Sequence, residues 1–177
     1  MIQTQFQKKI QVLRTDNATD YFNSILGDYL VNEGIVHQSS CVNTPQQNGI
    51  AERKNRHLLD VARSLMFSTN VPKCFWGEAV LTAAYLINRM PSSVLNFQTP
   101  CQVLLSSYPN TRLLTNIPPR VFGCTAFVHI YNQSKLDPKS LKCVFIGYSP
   151  TQKGYKCYSL SLGSFIIPWM FCFMSEH

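Results

Sequence analysis

Acidic residues are scarce in this chain. Nine Asp and Glu stand against sixteen Lys and Arg, and none precedes Asp16. The formal net charge is therefore +7, with a sequence pI of about 9.1. That balance favours polyanionic partners and says little about fold; a plain basic globular protein satisfies it equally well. Charged residues make up only 14% of the chain, too few for a basic disordered tail, while 45% hydrophobic residues suffice for a core. There is no C-x-x-C pair, and the seven Cys (41, 74, 101, 124, 143, 157 and 172) make no ligand-spaced cluster with the four His. An odd, scattered set argues against a disulfide framework and for reduced, mostly buried thiols. No apolar run approaches the roughly 20 residues of a membrane-spanning helix. The longest, 165–174, is interrupted by Pro168. The opening nine residues have no apolar stretch of the secretory kind. These absences predict a nuclear or cytoplasmic protein, neither secreted nor in a membrane. No internal repeat is present.

The 177 residues fit one ordinary domain or one and a half small ones. Residues 1–9 read as the last turns of a helix. Residues 9–15 read as a strand centred on Val12 and Leu13, and 35–39 as a second, short one. Between them, Phe22, Ile25, Leu26, Tyr29 and Leu30 recur at helical spacing, so 20–34 is predicted as a helix stopped by Gly34. Asn43, Pro45, Asn48 and Gly49 make 41–49 a loop. Over 48–67 the helical pattern is clear: Ala51, Leu58, Ala62 and Leu65 line one face, and Asn48, Glu52 and Arg56 follow at i, i+4, i+8 on another. A further helix, 75–89, buries Trp76, Val80, Ala83 and Ile87. Thr99-Pro100 opens a short one through 105. Pro109, Asn110, Pro118 and Pro119 mark a linker, and four short β-like runs follow, 121–130, 141–148, 155–160 and 165–173.

Two carboxylates stand out by position. Asp16 closes the first strand, and Glu52 lies one turn into the 48–67 helix. Two-metal phosphoryl-transfer sites gather carboxylates from different elements, because each divalent ion takes hard oxygen ligands and keeps positions open for water and phosphate. Polar and cationic neighbours of Glu52 can touch phosphate. The alternative is a surface Glu52–Arg56 pair worth roughly a few tenths of a kcal/mol.

The stretches Leu13-Arg14-Thr15-Asp16-Asn17, His37-Gln38-Ser39-Ser40-Cys41 and Thr44-Pro45-Gln46-Gln47-Asn48-Gly49-Ile50-Ala51-Glu52-Arg53-Lys54-Asn55-Arg56 closely resemble the integrase core of copia-type retrotransposons. The resemblance runs to about residue 160. It implies that Asp16 and Glu52 match the second and third members of a catalytic Asp, Asp, Glu triad holding Mg²⁺ or Mn²⁺, with Asn48, Arg53, Lys54 and Arg56 meeting nucleic acid. The 41–49 loop becomes a mobile element beside that centre; on the residues alone it is only a connection. The implied fold is α/β, a partial ribonuclease-H-like core without its first three strands. Residues 9–15 and 35–39 would be strands four and five.

After the linker, Arg120-Val121-Phe122-Gly123-Cys124, Lys135-Leu136-Asp137-Pro138-Lys139, Gly147-Tyr148-Ser149 and Lys153-Gly154-Tyr155-Lys156-Cys157-Tyr158 resemble the small all-β SH3-like barrel of the same integrases. The organisation expected is therefore a partial core with its following helices over 1–107, a linker over 108–119 and a barrel module over 120–173. Lysines and tyrosines of the barrel either meet nucleic acid or form a solvated surface. Two departures stand out. Ala18 replaces the family's usual Gly after Asp-Asn, which costs about 1 kcal/mol if the position needs positive φ. The terminal Pro168-Trp169-Met170-Phe171-Cys172-Phe173 is more apolar than an exposed last strand should be, and reads as divergent and prone to aggregate.

The resemblance implies DNA integration by 3′-end processing and strand transfer, acting on element ends and target DNA in an oligomeric full-length parent. The first triad carboxylate should lie well before Asp16, which is the first acidic residue here. The expectation is a loose or partner-dependent core, and a chain that alone neither cleaves nor joins DNA. The rival expectations are a non-catalytic, basic nucleic-acid-binding remnant and a product with no stable fold.

Overall fold

The structure, a computed structural model, describes residues 2–41, 49–109, 117–130, 136–149, 152–167 and 171–173. Its contacts divide it into two units. One comprises Met1–Arg56 with Leu105–Leu113, the other His57–Leu104 with Leu114–His177.

In the first unit, α1 (Ile2–Phe6) leads to β1 (Val12–Thr15), a 3-10 turn (Thr19–Tyr21), α2 (Ser24–Glu33) and β2 (Val36–Ser39). The strands pair in parallel, with Val12 opposite Val36 and Thr15 opposite Ser39. A parallel pair needs a crossover, and α2 supplies it. Local chemistry sets both ends of α2. The Asn23 side chain accepts a hydrogen bond from the Leu26 N–H at 2.8 Å, which starts the helix. Gly34 ends it in the left-handed region at φ 68°. There the Gly34 N–H donates to the Val31 carbonyl and the Ile35 N–H to Leu30, satisfying carbonyls the helix leaves open. The predicted helix 20–34 is thus a 3-10 turn followed by a capped α-helix. Asn23 takes extended angles and divides the two.

The core of this unit is thin. Among the described residues of Met1–Arg56, Leu30 and Ser40 are the buried ones. Val12 keeps 48% of its surface exposed and Val36 57%. Val12 lies on a strand whose neighbour in the sheet is β2 alone among the described residues. A two-stranded sheet with open faces is marginal by itself.

α3 (Gly49–Ser68) runs from the first unit into the second. The second unit continues with a 3-10 turn (Lys73–Phe75), α4 (Trp76–Ile87), another 3-10 turn (Ser93–Leu95) and α5 (Pro100–Ser107). Thr99 caps α5 reciprocally: the Gln102 N–H donates to its hydroxyl at 3.1 Å, and its own N–H donates to the Gln102 side-chain oxygen at 2.8 Å.

Five antiparallel strands complete this unit: β3 (Thr125–His129), β4 (Ser140–Tyr148), β5 (Tyr155–Ser159), β6 (Ser164–Ile166) and β7 (Phe171–Phe173), in the order β6-β5-β4-β3-β7. The run read as one strand over 165–173 is two short strands on opposite edges of the sheet. Pro168, which cannot donate to a ladder, falls between them in the sequence. Among the described residues β6 and β7 do not pair, so the sheet is open where a closed barrel was expected. Within the apolar tail, Phe171–Phe173 is an edge strand, with Phe127 opposite Cys172.

One face of the sheet carries Ala126, Val128, Cys143, Phe145, Tyr155 and Cys157 in a core with Ile117. A second core joins Phe122 and Ile146 to Ala62 of α3 and to Ala79 and Ala83 of α4. Ile146 reaches that second core because the β4–β5 register shifts between Phe145 and Gly147, a bulge that re-aims the side chain. α4 sits close at Gly147, where a Cβ would come within 2.9 Å of the Thr82 hydroxyl. Of the predicted stripe on this helix, Ala83 and Ile87 are buried, whereas Trp76 is exposed.

Candidate functional site

Asp16 follows the last residue of β1 and is exposed. The Ala18 N–H donates to its Oδ1 at 3.2 Å, an Asx turn that fixes the side chain. Ala18 itself has φ −63° and ψ 132°, extended angles that any residue adopts. The position therefore does not demand glycine, and the expected penalty for Ala18 is absent. Behind Asp16, the Thr15 hydroxyl donates to the Asp16 carbonyl at 3.0 Å and lies 2.8 Å from Nε2 of His37 on β2.

Glu52 occupies the first turn of α3. A carboxylate there is favoured by the positive end of the helix dipole. Every residue from Ala51 to His57 is exposed, including Arg53, Lys54 and Arg56. Ion pairs join Arg63 to Asp60 at 3.2 Å and Lys156 to Glu78 at 2.5 Å, and among the described residues none involves Glu52, Arg53, Lys54 or Arg56. Glu52 and Arg56 thus do not form the surface pair that was the alternative to a phosphate-binding role. The cations of this helix remain open to solvent. Asn48 and most of the 41–49 loop lie outside the described residues.

Asp16 and Glu52 share the first unit but come from different elements. No hydrogen bond joins them. Among the described residues no group of three His, Cys, Asp or Glu side chains gathers in a way that could hold a metal. Each carboxylate is exposed, and the Asp16 turn occupies only Oδ1, so each offers a hard oxygen of the kind a divalent cation takes.

Three of the SH3-like module's lysines and tyrosines that were candidates for nucleic-acid contact, Tyr148, Tyr155 and Lys156, are engaged inside their own unit. Tyr148 stacks on Tyr85 of α4 with ring centroids 3.6 Å apart, and the Arg89 guanidinium covers the other partner of that stack, 3.4 Å from the Tyr85 ring. Tyr155 is buried, its hydroxyl donating to the Pro118 carbonyl at 2.8 Å. Lys156 is tied to Glu78. Burial pushes the Tyr148 hydroxyl up to about 12, and burial beside Cys143 and Cys124 pushes the Cys157 thiol up to about 12. These groups stay protonated and inert at neutral pH, which suits a core rather than a reactive site.

His37, whose Nε2 lies 2.8 Å from the Thr15 hydroxyl, has no role assigned by the sequence. Only the β1–β2 register, with Leu13 opposite His37, brings it beside Thr15. No local pattern in either strand signals that meeting.

Residues 124–173 match the family model of the retroviral polymerase SH3-like domain. The chain is 39% identical over 165 residues to the retrovirus-related Pol polyprotein from transposon RE2 of Arabidopsis thaliana, covering 92% of this chain and 11% of that protein. It is 39% identical over 160 residues to the Pol polyprotein from transposon TNT 1-94 of Nicotiana tabacum, covering 89% of this chain and 12% of that one. The chain thus spans about a tenth of the length of these relatives. Among solved structures, the catalytic core domain of BIV integrase is similar at 20% identity and a TM-score of 0.43, over 60% of this chain and 66% of that one. With a continuous relationship over nearly all of its length, the chain belongs to the family of retrovirus-related Pol polyproteins of transposons.

Proposed function

We propose that this chain serves DNA integration as the integrase segment of a retrotransposon Pol polyprotein, with residues 1–107 derived from a ribonuclease-H-like catalytic core and 120–173 from the SH3-like module. The observation that carries the reading is the first half of α3, where Glu52 shares an exposed helical surface with Arg53, Lys54 and Arg56, none of them in an ion pair among the described residues. Phosphates position on such cations without regard to sequence. Asp16 and Glu52 would hold a Mg²⁺ or Mn²⁺ ion, and Asn48 would add a polar contact to the DNA. The bound ion would activate an attacking oxygen or stabilise a leaving one. Asp16, pinned by its turn, orients a carboxylate at the end of β1, and the cations of α3 hold the DNA strand beside Glu52. The longer parent would act as an oligomer on the element's ends and on target DNA.

A polypeptide of these 177 residues alone binds DNA without turnover in this account, because Asp16 and Glu52 provide fewer carboxylates than two-metal chemistry uses. The test is Mn²⁺ binding followed by electron paramagnetic resonance. Asp16→Asn and Glu52→Gln should each weaken binding, and both together should remove it. Binding that is unchanged in the double variant overturns the metal assignment. Metal-dependent strand transfer by the purified chain, lost in Asp16→Asn, overturns the expectation of inactivity.

No helix among the described residues is long and apolar enough to cross a membrane.

A further inference from the structure

The geometry points to a nucleotide site in the first unit, at the opposite end of β1 from Asp16. A cavity of about 300 Å³ opens between the segment that follows α1 and the last turns of α2. Lys8 and Lys9 line it from the first of these, Tyr29 and Glu33 from the second. Ile10 and Ile35, which also line it, precede β1 and β2, whereas Asp16 follows β1. Neither Asp16 nor Glu52 lines the cavity, so this site stands or falls without their metal reading.

Two features that work against local stability meet at this cavity. Gln7 leaves α1 in the left-handed region at φ 51°, which disfavours a residue with a Cβ, and Lys8 and Lys9 follow directly. Glu33 is the last residue of α2, at the negative end of the helix dipole, and the last turn holds no cation to offset it. Lys8, Lys9, Tyr29 and Glu33 are all exposed, and among the described residues none of their side chains makes an ion pair or a hydrogen bond. The lysines thus share a cavity with Glu33 without being neutralised by it. Two ammonium groups against one carboxylate leave a net charge of +1 for an anion to meet (2 − 1 = +1). A phosphate suits the lysine pair, through charge-assisted hydrogen bonds. The Tyr29 ring, 56% exposed, offers a stacking face to a base, with Ile10 and Ile35 as apolar surface beside it. The Glu33 carboxylate only accepts, so it calls for a hydroxyl or amino donor. A nucleoside 5′-monophosphate carries all three groups, either free or as the 5′ end of a strand. The cavity is at the small end of the range for ligand pockets, which suits one nucleotide and not a duplex.

Titration of the full chain with deoxyadenosine 5′-monophosphate, followed by two-dimensional NMR, tests the site. The amides of Lys8, Lys9, Tyr29 and Glu33 should shift together and give one dissociation constant. Deoxyadenosine, which lacks the phosphate, and inorganic phosphate, which lacks the base, should each bind about tenfold more weakly. Lys8→Gln combined with Lys9→Gln should weaken the monophosphate about tenfold and leave deoxyadenosine unchanged, a difference that loss of the fold would not give. Tyr29→Leu should weaken both ligands about tenfold, whereas Tyr29→Phe, which keeps the ring, should match wild type. A short 5′-phosphorylated single strand, read at the same amides, separates the two sources. Affinity equal to that of the monophosphate assigns the site to strand ends, affinity about tenfold weaker assigns it to free nucleotides, and either result upholds the site. Unmoved amides at all four positions overturn it. So do shifts confined to Arg53, Lys54 and Arg56, which place the phosphate on α3, and inorganic phosphate that binds as tightly as the monophosphate. A double lysine variant with wild-type affinity for the monophosphate also overturns it.

Discussion

Lys156 of β5 reaches Glu78 in the first turn of α4 with its Nζ 2.5 Å from the carboxylate, and only 21% and 19% of the two side chains remain exposed. The same ammonium lies 4.5 Å from the Phe165 ring on β6. One cation thus joins a helix and two strands of the second unit. Removing a single partner leaves the other charge largely desolvated, so Glu78→Gln or Lys156→Met should each cost about 2 kcal/mol. Replacing both, Glu78→Leu with Lys156→Met, should recover most of that loss, because two apolar groups leave no orphaned charge. Urea unfolding of the four proteins measures it. Single variants as stable as wild type would mean the pair is solvated.

Gly123 sits at φ 81°, and a Cβ there would come within 2.6 Å of the Thr69 hydroxyl and 2.7 Å of Val71 Cγ2. Strain and overlap add, so Gly123→Ala should destabilise the second unit by about 3 kcal/mol. Gly27 is the contrast. It lies inside α2 with nothing within 4 Å of a Cβ. Gly27→Ala should stabilise that helix by about 1 kcal/mol. Hydrogen exchange reads the two effects in separate units: faster exchange in β4 for the first, slower exchange in α2 for the second.

The stability of the second unit should fall at alkaline pH. Burial pushes the Tyr148 hydroxyl from its ordinary 10 up to about 12 and the Cys157 thiol from 9 up to about 12. A raised pKa in the folded state means the native protein holds the proton more tightly than the unfolded chain. The stabilisation is complete below the unfolded values and is lost as pH rises toward 12. Unfolding midpoints should be level from pH 7 to about 9 and then decline, more steeply past about 10. Tyr148→Phe, which removes one of the two groups, should flatten the upper part of that decline. A midpoint that stays level to pH 11 in wild type would show both groups to be solvated.

Strong local signals in the sequence survive in the structure. Helical spacing and the end signals at Gly34 and Thr99 depend on residues within one or two turns, so α2, α3 and α5 were legible, although the start of α2 at its Asn23 cap was not. The placement of Glu52 follows from α3, and that of Asp16 from the short strand β1. Long-range partners were not legible. Tyr148 and Lys156 look like surface residues of a small β module until α4 arrives to cover them through Tyr85 and Glu78, which lie far away in sequence. The split of 165–173 into two edge strands depends on which neighbours β5 and β3 accept, which period-two patterning does not encode. The His37–Thr15 bond depends on register in the same way.

The central claim is that the open cations of α3 meet DNA phosphates. It is tested most directly by the salt dependence of duplex DNA binding for wild type and for a variant carrying Arg53→Gln, Lys54→Gln and Arg56→Gln. Each lost phosphate contact lowers the slope of log affinity against log salt by about 0.9, so the variant's slope should be shallower by about 2.7, with binding weakened alike on unrelated sequences. A variant that matches wild type in affinity and slope would contradict the account, because the surface that carries it would then have no part in holding DNA.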